Sequence, residues 1–392
     1  MGFSSKIIIG IFVLQIKHSL IQRMRALIIL ALFATFACNP KTETIESPES
    51  TAHSASDSLL LQPEEMKYLK NIKQITFGGN NAEAYWSFDD SMLVFQSDYA
   101  SWGNECDQIF YTTWETDDLK NNTPKRLSTG LGRTTCSYFL SDNKTIVYAS
   151  THLGDKNCPP VPEPRTDGKY VWPIYDSFDI FTADLEGNIL NQLTNEPGYD
   201  AEATVSPQGD KIVFTSLRTG DLELYTMNID GTDVKQITSD LGYDGGAFFS
   251  PDGSKLIWRA SRPTSEADVK IYKDLLADGL VMPTSMELYV ANADGSDVKK
   301  LTDLGKANWA PFFHPSGEKI IFASNHQTER GFPFNLFMIN IDGTGLTKIT
   351  NDGTFDAFPV FSNDGKHLVF SSNRNNGGTR DTNLFVAEWI GN

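Results

Sequence analysis

Several things that would assign a chemistry to this chain are scarce or missing. Cysteine occurs four times and histidine six times in 392 residues, and no H-E-x-x-H, C-x-x-C or G-x-S-x-G occurs. That removes the usual sequence signs of a zinc centre, a dithiol centre and a serine-hydrolase elbow. Positive charge is short: 33 Lys and Arg against 50 Asp and Glu leave a net charge of −17. Nucleic-acid binding rests on neutralising phosphates with a basic surface, so a nucleic-acid partner is excluded, while basic proteins, cations and neutral glycans remain possible. Neither N-terminal apolar run, IIIGIFVLQI nor ALIILALFATFA, has the roughly 20 residues of a clean membrane span.

What is present is repetition. A short pattern is written six times, as I-K-Q-I-T at 72–76, P-K-R-L-S at 124–128, L-N-Q-L-T at 190–194, V-K-Q-I-T at 234–238, V-K-K-L-T at 298–302 and L-T-K-I-T at 346–350. Each copy is followed by a polar residue, an apolar run, a tight turn and another apolar run, as in DAEATVSPQGDKIVFTS from Asp200. The runs are of strand length and rich in β-branched and aromatic residues. Turns such as Pro251-Asp252-Gly253 and Asp294-Gly295 are hairpin signals, because glycine supplies positive φ. Continuous runs such as KIVF and KIIF suit strands covered on both faces. Serial four-stranded antiparallel units buried on both faces are the blades of an all-β propeller.

The order of the patterns also gives the closure. The first copy of K-x-[L/I]-T precedes the first blade, and the last unit ends at NLFVAEWIGN without one. Six blades are therefore expected, with residues 72–76 completing the last blade beside Asn383–Trp389 and removing two open edges.

Upstream, Met24-Arg25, the apolar run and Cys38 resemble a bacterial lipoprotein signal, with Cys38 as the lipidated residue. Phe36 departs from the small residue usual there. Residues 1–38 are read as the signal segment, with Met24 as a candidate natural start. Residues 39–65, polar, acidic and rich in Ser, Thr and Pro, are read as a disordered tether. Residues 66–392 are the propeller. Export implies a lipid-anchored location in the periplasm or at the cell surface, and it makes a disulfide plausible. Cys136 with Cys158 is the preferred pair and leaves Cys106 free; Cys106 with Cys158 is the competitor.

The S-P-D-G turn (Ser250 to Gly253), the [E/N]-L-[Y/F] strands at Glu223, Glu287, Asn335 and Asn383, the D-G turns and the K-x-[L/I]-T strands together resemble the TolB-type propeller repeat of bacterial envelope proteins. The resemblance covers residues 66–392. It implies fold more than function. TolB has an additional N-terminal α/β domain that contacts partners of the Tol system. A tether stands in its place here, so that role is not implied. The same repeat accompanies serine peptidase domains, whose G-x-S-x-G is missing.

In a propeller the loops joining second to third strands share one face with the links between blades. All the long loops of this chain are of that kind: 98–107 with Trp102 and Cys106, the Pro-rich 152–178 with Cys158, Trp172 and Tyr175, and 262–286. The last holds a predicted helix, with Ser265 and Asp268 as its capping pair, Val269, Tyr272 and Leu276 as its apolar stripe and Gly279 as its stop. Binding is expected on this face. At the channel mouth, alignment of the units gives a column of Asn81, Thr135, Asp200, Asp244, Asn308 and Asp356, with Glu83 and Glu202 two positions further on. This column reads either as a ring of oxygens for Ca²⁺ or a polyhydroxyl or amine ligand, or as loop caps. A second column, Tyr99, His152, Arg218, Arg262, His326 and Arg374, ends the second strands, and its arginines could pair with the aspartates. No other cofactor is implied. The favoured function is a monomeric module binding an envelope protein or glycan. The alternative is a hydrolase or lyase acting on a polysaccharide or peptide, with acids drawn from Asp200, Glu202, Asp244 and Asp356.

Overall fold

The structure, a computed structural model, describes residues 57–329 and 331–391. The signal segment, Cys38 and most of the expected tether lie outside the described residues. Six four-stranded antiparallel sheets follow one another along the chain. The innermost strands are Asn81–Trp86, Thr134–Phe139, Asp200–Val205, Asp244–Phe249, Asn308–Phe313 and Asp356–Phe361. The first five blades each finish with an outer strand from their own unit. The sixth takes Leu69–Gln74, which runs antiparallel to Asn383–Trp389 with Leu69 opposite Trp389 and Gln74 opposite Phe385. The chain is thus a six-bladed β-propeller closed by its N-terminal strand, as its repeat order predicts.

The recurring Thr or Ser of the outer-strand pattern has a physical reason in every blade. The hydroxyls of Ser128, Thr194, Thr238, Thr302, Thr350 and Thr76 each accept the main-chain N–H of the second residue of the third strand, at 2.8–2.9 Å. In five blades the hydroxyl also donates to the acidic or amide side chain that opens that strand: Ser128 to Gln108, Thr194 to Asp179, Thr238 to Glu223, Thr302 to Glu287 and Thr76 to Asn383. The outer strand is short, so this bond continues the pairing where the ladder stops. The apolar runs KIVF and KIIF are buried on both faces, as are Trp258, Tyr148, Phe95 and Phe322. The outer edges of blades one, three, four and five carry Lys125–Arg126, Lys235–Gln236, Lys299–Lys300 and Thr347–Lys348. Lysine at an edge discourages pairing with another chain.

The folded part begins earlier than the expected boundary at residue 66. Asp57 is buried and accepts the N–H of Ile72 at 2.9 Å, Leu61 is buried, and the carboxylate of Glu65 meets Arg374. These polar and acidic residues read as tether because their partners lie far away in sequence. Among the described residues no helix is long and apolar enough to cross a membrane.

Candidate functional site

At the mouth, the first residue of each inner strand is buried and faces the end of the second strand. Blade two departs from the expected column. Thr134, opposite Ser150, takes the place assigned to Thr135. Thr135 instead donates to Gln96 at 3.1 Å. The three aspartates are engaged by the second column. Arg218 Nη2 lies 3.1 Å from both carboxylate oxygens of Asp200, Arg262 Nη2 lies 2.7 Å from Asp244, and Arg374 Nη2 lies 3.1 Å from both oxygens of Asp356. Each guanidinium also covers a ring of its own blade: Arg218 over Tyr225, Arg262 over Tyr289 and Arg374 over Phe370.

Histidine takes the same place in blades two and five. His152 Nδ1 is 2.8 Å from Ser150 Oγ and His326 Nδ1 is 2.9 Å from Ser324 Oγ, with the rings 4.5 Å from Phe181 and Phe337. Burial pushes both imidazoles down toward the neutral form. Ser324 also donates to Asn308 at 2.7 Å, and the Asn81 amide donates to the carbonyls of Gly78 and Thr382. In blade one, Tyr99 N–H donates to Ser97 Oγ at 3.2 Å. The two columns therefore staple first, second and third strands together.

At the mouth Asp200, Asp244 and Asp356, the carboxylates of the expected oxygen ring, are each held by a guanidinium group. Among the described residues no cluster of three or more acids, histidines or cysteines is placed to hold a metal ion. Burial raises the Asp200 carboxyl and pushes Asp244 up to about 6, against the pull of their arginines.

Two residues further on, every inner strand turns into the left-handed region: Glu83 (φ +53°), Cys136 (+46°), Glu202 (+58°), Gly246 (+60°), Ala310 (+48°) and Phe358 (+53°). Each is the bulge at which strand register shifts. Together they line the channel around a cavity of about 20 Å³, room for a single water molecule. Glu202 accepts from Arg259, from Tyr243 Oη at 2.9 Å, from Thr215 Oγ1 at 2.7 Å and from the Gly246 N–H at 2.9 Å. Gly246 is glycine for a reason: a Cβ there lies 1.8 Å from Arg259 Nη1.

Glu83 keeps Oε2 shut away from solvent and, among the described residues, without a hydrogen-bond partner. Desolvation pushes its carboxyl up to about 7; the Cys136 thiol and Arg259 oppose that rise, while the charges of Glu202 and Asp107 add to it. Burial, with the nearby Glu83 and Glu202 charges, raises the Cys136 thiol and keeps it un-ionised. Sequence reasoning noted Glu83 but missed Arg259. The only signal was a basic residue inside the apolar run KLIWRA.

The roof comes from two insertions. Trp172–Pro173 pairs antiparallel with Leu280–Val281, and Ile174 N–H donates to Gly279 O at 2.7 Å. The helix Glu266–Ala277 is capped as its sequence predicts, Ser265 Oγ accepting the Asp268 N–H at 3.1 Å. Its buried residues are Tyr272 and Leu275. Trp172 covers the Arg259 guanidinium at 5.5 Å and meets Trp309 at 5.1 Å; Trp309 in turn stacks on Phe334 at 4.4 Å. The disulfide joins Cys106 to Cys158 with Cα atoms 6.0 Å apart, and Cys136 is the buried free cysteine. The preferred Cys136–Cys158 pairing is thus overturned. Cys136 sits on the channel bulge, while the loop after His152 carries Cys158 to the neighbouring blade-one loop. Leu153, Val161, Tyr170 and Phe332 on this face are 58–68% exposed.

The class is a closed six-bladed propeller with a roofed channel. Over residues 172–279 the sequence matches a model of the TolB beta propeller domain. The fold is similar to that of a TolB from Agrobacterium tumefaciens, at 19% identity over 79% of this chain and 90% of that one, TM-score 0.51. It is also similar to a TolB from Acinetobacter baumannii, at 19% identity over 82% and 65% of the two chains, TM-score 0.48. A gluconolactonase from Xanthomonas campestris shares the fold at 14% identity over 86% and 93%, TM-score 0.51. No curated protein matches the sequence. At these identities the likeness is one of fold.

Proposed function

We propose that this chain is an exported, lipid-anchored propeller that serves as a binding or scaffold module at the bacterial cell envelope. It engages a protein segment or a glycan on the long-loop face. The observation that carries this reading is the contrast between ring and roof. The polar groups of the mouth are spent on holding blades together, whereas the loops between second and third strands on that face present Tyr170 and Phe332 at 58% and 66% exposure. Large exposed side chains gathered on one elaborated face are the mark of an interaction site. The TolB-type repeat supports a binding module, and Met24 through Cys38 support export and anchoring. The alternative of a hydrolase or lyase loses support from the geometry: Asp200, Glu202, Asp244 and Asp356 each bond to a guanidinium.

Proximity labelling in intact cells, with a C-terminal tag, tests this reading. The wild-type chain is expected to enrich a discrete envelope partner. A Tyr170→Ala/Phe332→Ala chain is expected to lose it, and Cys38→Ser is expected to leave the membrane fraction. Equal enrichment by the Tyr170/Phe332 variant places the binding surface elsewhere.

A further inference from the structure

Every residue from Cys158 to Pro164 is either a proline or the residue before one, in the run C-P-P-V-P-E-P. Proline fixes φ near −65°, and the residue before a proline is driven out of the helical region into extended geometry. Such a run has one regular conformation open to it, polyproline II, with three residues per turn and no internal hydrogen bonds.

The structure carries both marks. Beyond Cys158, itself half-buried at the disulfide, Pro159, Pro162 and Arg165 are half-buried while Pro160, Val161, Glu163 and Pro164 are exposed, a period of three over 159–165. Among the described residues the backbone of 161–164 makes no hydrogen bond. At about 3.1 Å per residue the seven residues span roughly 20 Å.

This segment is held at its first residues, and a local ion pair follows its end. Cys158 is bonded to Cys106, and Tyr175 Oη donates to Pro160 O at 2.9 Å. Beyond Pro164, Arg165 is fixed on Asp167 through Nε and Nη2, both at 3.1 Å. One edge therefore lies on the protein and two face outward, with Val161 68% exposed. The outward residues fall into two adjacent pairs, Pro160–Val161 and Glu163–Pro164, each ending or starting in a ring-stiffened position.

We propose that residues 158–165 are a presented polyproline II ligand, taken by a partner protein through a groove lined with aromatic rings. A stiff segment loses little conformational entropy on docking, and aromatic walls pack against proline rings while their N–H and O–H groups reach the free carbonyls. The outward ridge offers no aromatic ring of its own on which a sugar could stack, so a protein groove fits it and a glycan does not. This inference rests on the reading of the long-loop face as the binding face and names the partner chemistry there.

The test uses the full chain in detergent, with the disulfide intact, titrated with an isolated SH3 domain and an isolated WW domain as aromatic-groove probes. The expected result is saturable binding of at least one probe, weakened about tenfold or more by Pro160→Ala/Pro164→Ala and by Val161→Asp. Reduction of Cys106–Cys158 is expected to weaken it too, through lost preorganisation. Thr232→Ala on the opposite face serves as the control and is expected to change nothing. Absence of saturable binding to both probes, or binding unchanged in the proline variants, overturns the proposal. Loss of the cellular partner on Tyr170→Ala/Phe332→Ala, with no effect of the proline variants, leaves the binding face standing and removes this ligand from it.

Discussion

Glu65 and Arg374, 309 residues apart in the chain, form a two-pronged ion pair with both bonds at 3.2 Å. Neither side chain has more than 2% of its surface exposed, and the same guanidinium holds Asp356. The pair fastens the segment before the closing strand to the blade that this strand completes. Removing Glu65 leaves Arg374 its bonds to Asp356 but strands the Gln62 and Asn351 N–H groups that Glu65 accepts, at about 1–3 kcal/mol each. Glu65→Ala is accordingly expected to lower the denaturation midpoint sharply. Glu388→Gln, which breaks the more exposed pair with Lys70, is expected to cost about 0–1 kcal/mol. Denaturant titration of the two variants checks the contrast; equal effects disprove the role given to Glu65.

The Thr hydroxyls beside the third strands give a second prediction. Thr238 Oγ1 accepts the Leu224 N–H at 2.8 Å and donates to Glu223 at 2.6 Å, where little water reaches. Thr238→Val keeps the shape and strands both groups, which is expected to cost about 1–3 kcal/mol. Hydrogen exchange at Leu224 is the direct readout: faster exchange is expected in the variant, and an unchanged rate contradicts the assignment.

The disulfide closes a separation of 52 residues between Cys106 and Cys158. Chain entropy alone assigns such a crosslink about 4 kcal/mol. Non-reducing peptide mapping is expected to find the 106–158 link and a free Cys136. Cys158→Ser is expected to lower the melting temperature, while Cys136→Ser leaves the link intact. A 136–158 crosslink in the map contradicts the structure.

Glu83 carries a pH dependence whose sign follows from burial. Its folded carboxyl titrates near 7 and an unfolded glutamate near 4.5, so the folded state holds the proton to higher pH. Its contribution to stability is then greatest below about 4.5 and falls as pH rises through 7. Glu83→Gln, which mimics the protonated form, is expected to flatten the decline in melting temperature between pH 5 and pH 8. A decline as steep as in the wild type shows that Glu83 is not its source.

Much of this molecule is legible in its sequence because a repeat states the same physics six times. The blade count, the closure by 72–76 and the pairing of Arg218, Arg262 and Arg374 with the aspartates all follow from aligned units. The unread parts have local causes. Thr134 and Thr135 are adjacent threonines, and only the strand register tells which one heads the blade. Asp57 and Glu65 look like solvated tether because their partners are distant. Arg259 enters the channel only because Gly246 has no side chain, a relation between two strands that no periodicity displays. The disulfide depended on where a loop travels, which cysteine spacing does not encode.

The most direct test of the binding face is site-specific photo-crosslinking in intact cells, with the photoreactive residue placed at Tyr170, at Phe332 or, on the opposite face, at Thr232 and Ser296. Discrete crosslinked products from Tyr170 and Phe332, with none from Thr232 or Ser296, are the expected result. Products from Thr232 and Ser296 alone contradict the assignment of binding to the long-loop face.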